Sequence, residues 1–179
     1  EIISPNDIRI DCSFEGTLKV KGKVVVGSTA VVKGDIICDN ADIYGNYTCE
    51  ALVGDALALD PSFRNSIKII TKCGICIQSD KFPQRQIQFY DYSYDYIVGQ
   101  VERSLKNLRT DRIDLLLLHR PSYLLNPAEV ASAFDKLHAD GKVLHFGVSN
   151  FYAHDFSMLQ SYCNVPLITN QIEVSPYCL

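Results

Sequence analysis

Four side chains of this sequence could share one proton and hydride transfer: an acid, a phenol, an amine and an imidazole. Asp39 and Tyr44 lie in Asp39-Asn40-Ala41-Asp42-Ile43-Tyr44-Gly45, Lys72 in Ile70-Thr71-Lys72-Cys73-Gly74, and His119 closes the run Asp114-Leu115-Leu116-Leu117-Leu118-His119. A tyrosine hydroxyl has a pKa near ~10 and gives up its proton poorly at neutral pH. A nearby ammonium favours the tyrosinate and eases that release. A carboxylate holds the lysine in place, and an imidazole orients the substrate carbonyl. Together they suit reduction of a carbonyl, with hydride from a cofactor and a proton from tyrosine. Singly they say little, since a histidine after a strand is more often structural and a lone lysine usually points to water. Ser149, Asn150 and Gln171 add polar groups at the ends of later strands.

These residues need elements to position them, and the elements come in two patterns. Before residue 45, apolar residues pair at a spacing of two and the pairs recur every six residues: Cys12/Phe14, Leu18/Val20, Val24/Val26, Ala30/Val32 and Ile36/Cys38. A spacing of two puts each pair on one face of a strand. A period of six predicts strand, turn, strand, with Gly16, Gly22, Gly27 and Gly34 at or near the turns. This is the pattern of a β-solenoid; the alternative is a plain β-meander.

After residue 45 the period becomes helical. Leu52, Ala56 and Leu59 predict one face of a helix starting near Thr48, ended by Asp60-Pro61-Ser62. A strand is expected over 66–72 and a long loop over 74–92. The spacing Ile97, Val101, Leu105, Leu108 predicts a helix, and Ile113 to Leu118 a buried parallel strand. Asn126-Pro127-Ala128-Glu129 reads as N-cap, N1 proline and acidic N3 of a helix through Val130, Phe134 and Leu137 that stops at Gly141. Strands are expected over 143–148 and 166–174, with a helix over 153–162 through Phe156 and Leu159. The alternation implies right-handed βαβ units, a parallel sheet and an α/β class, with functional groups at the C-terminal ends of the strands.

The chain has 179 residues, 47% hydrophobic and 21% charged, with a net charge of −4, which excludes wholesale disorder and a generic polyanion binder. No apolar run approaches ~18 residues, so no membrane helix is expected. The start Glu1-Ile2-Ile3-Ser4-Pro5 shows neither an initiator Met nor a signal peptide, so the chain is expected to begin part-way through a longer reading frame. The seven scattered cysteines read as reduced thiols of a cytoplasmic protein. Cys73-Gly74-Ile75-Cys76 has redox-type spacing but sits at a strand end, and is read as a coincidental pair. His119, His138, His145 and His154 lack metal-ligand spacing, so no metal is expected. Tyr90, Tyr92, Tyr94 and Tyr96 alternate with Asp91 and Asp95, which argues against nucleic acid; they read as a loop entering a helix, with a possible place in the substrate rim.

Five segments together resemble the aldo-keto reductases, most nearly their YdhF-type bacterial members. In order, they are 39–45, 70–74, 114–121, Gly147-Val148-Ser149-Asn150-Phe151 and Thr169-Asn170-Gln171-Ile172-Glu173. The resemblance covers residues 39–179 and implies a (β/α)8 TIM barrel, an NADPH cofactor and an aldehyde or ketone substrate. It implies Tyr44 as proton donor, Lys72 and Asp39 tuning it, and His119 positioning the carbonyl. Ser149, Asn150 and Gln171 would hydrogen-bond the nicotinamide carboxamide. Residues 5–45 resemble instead part of a bactofilin, a filament-forming β-helical cytoskeletal protein. Ile8-Arg9-Ile10-Asp11, Glu15-Gly16, Val24-Val25-Val26-Gly27 and Lys33-Gly34-Asp35-Ile36 carry that likeness.

The expected organisation is a bactofilin-like β-solenoid segment at 1–45 and an incomplete barrel at 46–179 carrying strands two to six. A chimeric junction is expected within 39–47, whether a natural recombinant, a designed fusion or an artefact of sequence assembly. A complete barrel takes ~250 residues, and the phosphate-gripping loops after strands seven and eight would be missing, so weak or absent NADPH binding is expected. Open sheet edges or the solenoid would favour self-association. Two functions follow: an NADPH-dependent carbonyl reductase, incomplete in this form and with its own activity left open, or a bactofilin-type polymer-forming module.

Overall fold

Apolar residues spaced two apart favour strands, and the computed structural model contains them, but Leu18/Val20 and Val24/Val26 lie in one nine-residue strand that runs through Gly22 without the expected turn. The structure describes residues 2–6, 8–10, 12–15, 17–26, 31–33, 36–43, 49–78 and 83–173. The elements in order are β1 (Ile2–Ser4), β2 (Ile8–Ile10), β3 (Ser13–Glu15), β4 (Leu18–Val26), β5 (Val31–Lys33), β6 (Ile36–Ile43), α1 (Cys49–Leu59) and a 3-10 turn (Pro61–Asn65). They continue with β7 (Lys68–Cys73), β8 (Ile75–Cys76), β9 (Phe89–Tyr90), α2 (Tyr94–Leu108), β10 (Ile113–Leu118), α3 (Pro127–Ala139), β11 (Val143–Ser149), α4 (Ala153–Tyr162) and β12 (Leu167–Gln171). The chain divides into two compact units, one of residues 1–71 with 104–114, the other of 72–103 with 115–179.

In the first unit β1, β4, β6 and β7 are neighbours in that order, with β2 also on β4 and β3 on β5. The pairings are parallel, which excludes a meander of adjacent antiparallel strands here. Ile2↔Leu18, Leu18↔Ile36, Ile8↔Val24, Val24↔Ala41 and Phe14↔Val32 each join a residue to one roughly 17 positions further on, as stacked repeats do. Leu18, Val20 and Val24 are buried, and the β4 register shifts between Val20 and Lys23, where Gly22 parts the two expected pairs.

The helix after residue 48 buries a different face from the expected one. Leu52 and Leu59 of α1 are exposed, whereas Cys49, Glu50, Gly54 and Leu57 are buried. The cause is Gly54: a Cβ there would lie 2.0 Å from the Asn107 carbonyl oxygen, so the glycine is what lets α1 approach the last turn of α2. Glu50 on the same side accepts from Thr71 Oγ1 at 2.8 Å and Asn107 Nδ2 at 3.2 Å. A polar residue and a glycine carry no hydrophobic signal. Below them Arg64 donates to Thr110 Oγ1 (2.8 Å), Ile67 O (3.2 Å) and Arg112 O (2.8 Å), and pairs with Asp114 at 2.8 Å. Ser66, expected in the strand, closes the 3-10 turn by donating to Phe63 O.

In the second unit β10, β11 and β12 are neighbours in that order, with β11 and β12 parallel. Ile97 and Val101 of α2, Val130, Phe134 and Leu137 of α3, and Leu159 of α4 are fully buried. Phe134 stacks on Phe146 of β11 with centroids 4.2 Å apart. The expected α3 cap is present: Asn126 accepts from Ala128 N at 3.1 Å, Pro127 is the first helical residue, and Gly141 takes a φ of 70° past the end. The stretch 74–92 is not all loop, since β8 and β9 pair antiparallel through Ile75↔Tyr90 and Cys76↔Phe89. Two residues per strand, with Phe89 and Tyr90 exposed, leave no alternation to read. β12 ends at Gln171, and beyond it the Glu173 amide donates to the Asn150 side chain at 2.8 Å; residue 174, the last of the expected strand, lies outside the described residues.

Candidate active site

Alternation along β7 buries Ile69, Thr71 and Cys73 on one face and leaves Ile70 and Lys72 half-buried on the other. β10 is buried almost throughout, and His119 follows it directly, half-buried. The His119 amide donates to the Cys73 carbonyl at 2.9 Å. The residue after Lys72 is therefore hydrogen-bonded to His119, and the ends of β7 and β10 stand level.

Ser149, Asn150 and Gln171 form a second group. Ser149 is buried and pairs with Gln171 across β11 and β12. The Asn150 amide donates to Gln171 O at 3.0 Å. Asn150 has a φ of 55°, the left-handed region that asparagine tolerates better than most residues. Its Oδ1 accepts from Glu173 N at 2.8 Å, and its Nδ2 donates to Ser149 Oγ at 3.3 Å. The cluster presents hydroxyl and amide groups that can both donate and accept, which is the chemistry a carboxamide requires.

Asp39 lies in β6, and its side chain is outside the described residues, as is the whole of Tyr44. The register of β6 on β7 sets Asn40 against Lys68 and Asp42 against Ile70.

Two further residues escaped the sequence reading. Asn170 grips Phe151 from both sides, accepting from its amide at 3.2 Å and donating to its carbonyl at 2.8 Å, and so holds the turn after Asn150. Its place beside Gln171 was the only available signal. Tyr92 is buried, and its hydroxyl meets the backbone of Arg120, next to His119; only its place in a tyrosine-rich stretch marked it. Cys73 and Cys76 are buried and are not joined in a disulfide. Among the described residues no three His, Cys, Asp or Glu side chains cluster as a metal site, and no helix is long and apolar enough to cross a membrane.

The fold has counterparts among known proteins. The chain is 53% identical over 139 residues to the uncharacterized oxidoreductase YcsN of Bacillus subtilis (strain 168), covering 78% of this chain and 46% of that protein. It is 49% identical over 138 residues to the oxidoreductase YdhF of Escherichia coli (strain K12), covering 77% and 46%. It is 45% identical over 145 residues to a 6-dehydroglucose reductase of Agrobacterium fabrum, covering 81% and 49%. The chain thus spans about half the length of the curated relatives it matches. Among solved structures, a glycerol dehydrogenase from Gluconobacter oxydans superposes with a TM-score of 0.66 at 33% identity, over 76% of this chain and 41% of that one. The family model for the aldo/keto reductases matches residues 27–178, starting inside the stretch of six-residue rhythm. The chain is a member of the aldo/keto reductase family, built on parallel α/β units like those of its barrel neighbours.

Proposed function

We propose that this chain carries the carbonyl-reducing residues of an NADPH-dependent aldo-keto reductase acting on a small aldehyde or ketone. Tyr44 gives the proton to the carbonyl oxygen, Lys72 and Asp39 ease its release, and His119 orients the carbonyl. The observation that carries this reading is the level placement of Lys72 and His119 through the Cys73–His119 hydrogen bond. An ammonium and an imidazole at neighbouring strand ends are what a tyrosine donor needs beside it.

Ser149, Asn150 and Gln171 would hold the carboxamide of the nicotinamide, and their paired donors and acceptors suit it. A bound nicotinamide cofactor supplies the hydride. The 6-dehydroglucose reductase among the relatives makes sugar-derived carbonyls reasonable first substrates.

The test is NADPH oxidation at saturating cofactor with a broad aldehyde, comparing wild type with Tyr44→Phe. Loss of the general acid is expected to lower the rate by about 10²-fold or more. An unchanged rate would reject Tyr44 as donor.

A second reading concerns residues 1–45, with 46–179 as the partial barrel of strands two to six. The parallel ladder of β1 to β6 supports a short β-solenoid, as in bactofilin-type polymer-forming modules. Electron microscopy of the purified chain decides: filaments would support self-association through that segment, and dispersed particles at high concentration would reject it.

A further inference from the structure

Tyr92 belongs to no part of the proposed chemistry, yet it is buried and its hydroxyl is bonded twice. Its hydroxyl donates to the Arg120 carbonyl at 2.5 Å and accepts from the Arg120 amide at 3.2 Å. One phenol thus closes on both polar groups of the residue after His119. Its ring occupies the space above Gly74, where a Cβ would fall 2.0 Å from Cε1. Gly74 itself has a φ of 108°, so both the backbone and the ring exclude a side chain there. The Asp91 amide donates to Gly74 O at 3.0 Å, fixing the segment that carries Tyr92 to the segment that follows Lys72.

We infer that Tyr92 is a positioning residue for His119, locking the Lys72 and His119 strand ends together from outside the reacting groups. The inference rests on the reading of His119 as the residue that orients the carbonyl. Three bonds bracket His119: its own amide to Cys73, and the two groups of Arg120 to Tyr92. Breaking only the Tyr92 pair leaves the His119 amide tied and removes both anchors of the next peptide, so the backbone that aims the imidazole is held from one side while the strand stays paired. Burial pushes the Tyr92 hydroxyl well above the ordinary tyrosine range, against the opposing pull of its bond to Arg120, so it stays a neutral donor throughout the working pH range. Arg120 is exposed, and its side chain is not needed for the lock, since both bonds are to its backbone.

The test uses the full 179-residue chain carrying Tyr92→Phe, which keeps the ring over Gly74 and removes the hydroxyl. Histidine-labelled NMR follows the His119 ring resonance and its titration, and hydrogen exchange follows the Arg120 amide. The Arg120 amide is expected to exchange about tenfold faster, the worth of one hydrogen bond. The His119 resonance is expected to shift and its titration midpoint to move, while the resonances of His138 and His145 stay in place. Tyr90→Phe, which alters a ring stacked on Tyr92 at 6.4 Å and leaves the lock intact, is expected to change neither readout. A folded Tyr92→Phe with an unchanged His119 titration would overturn the inference. Should that variant not fold, the wild-type Arg120 amide decides, because exchange at the rate of an open loop would show that no lock exists. Neither readout involves NADPH, so the lock can stand even if Tyr44→Phe shows that the reductase reading fails.

Discussion

Removing Asp114 tests whether the polar knot of the first unit holds it together. Asp114 and Arg64 have side-chain exposures of 7% and 10% and meet at 2.8 Å. The Asp114 carboxylate also accepts from the Ile69 amide at 2.9 Å, while Lys68 stands 3.7 Å away and largely in solvent. Asp114→Ala therefore strands a buried backbone donor and removes the counter-charge of a buried guanidinium. Breaking one side of such a pair costs about 3–5 kcal/mol. Arg64 keeps three oxygen acceptors, on Thr110, Ile67 and Arg112, which pulls the expected cost to about 3 kcal/mol, the low end of that range. The exposed Lys68 contributes little, about 0–1 kcal/mol. At ~2–4 °C per kcal/mol for a chain of this size, the midpoint of thermal unfolding should fall by roughly 6–12 °C. Urea unfolding of Asp114→Ala, Arg64→Met and the double variant measures the coupling, expected at about 1–3 kcal/mol because neither single change is independent of the other. A loss below about 1 kcal/mol for Asp114→Ala, or strict additivity in the double variant, would refute this account.

Two further outcomes follow from local geometry. Gly54→Ala gains about 1 kcal/mol of helix propensity but places a methyl 2.0 Å from the Asn107 carbonyl, and overpacking against rigid backbone costs about 1–3 kcal/mol or more. The net result should be a lower urea midpoint, and a rise would show that α1 can move away freely. Burial, helped by Asp135, pushes the Cys163 thiol from 9.0 up to about 11, which lowers its thiolate fraction about 100-fold at pH 8. Iodoacetamide labelling with peptide mapping should therefore find Cys163 far slower than the exposed Cys12. The neutral thiol is the favoured folded form, so its contribution to stability persists below the unfolded pKa and is lost as pH rises towards the folded one; equal labelling rates would contradict this.

Much of the chain after residue 93 was legible in the residues. Ile97, Val101, Leu105 and Leu108 recur at helical spacing, and all four are buried. The Asn126-Pro127 cap and the Gly141 stop act through local backbone chemistry, so they hold wherever the helix packs. The near-continuous apolar run from Ile113 to Leu118 marked a covered strand, which the structure contains. The face of α1 was illegible, because Gly54 and Glu50 are buried by close approach and hydrogen bonding and not by hydrophobicity. The β8 and β9 pair was illegible because two-residue strands form no period.

For the candidate site, the sequence alone determined which chemical groups are present, in what order, and that Lys72, His119, Ser149 and Gln171 fall at strand ends. Periodicity and motif spacing carry that information along the chain. Only the tertiary structure decided that the His119 amide reaches Cys73, that Asn150 bends back onto Gln171 and Glu173, and that Tyr92 closes on Arg120 over Gly74. Those contacts depend on register and on which backbone groups lack a partner, and neither quantity is written in the order of side chains.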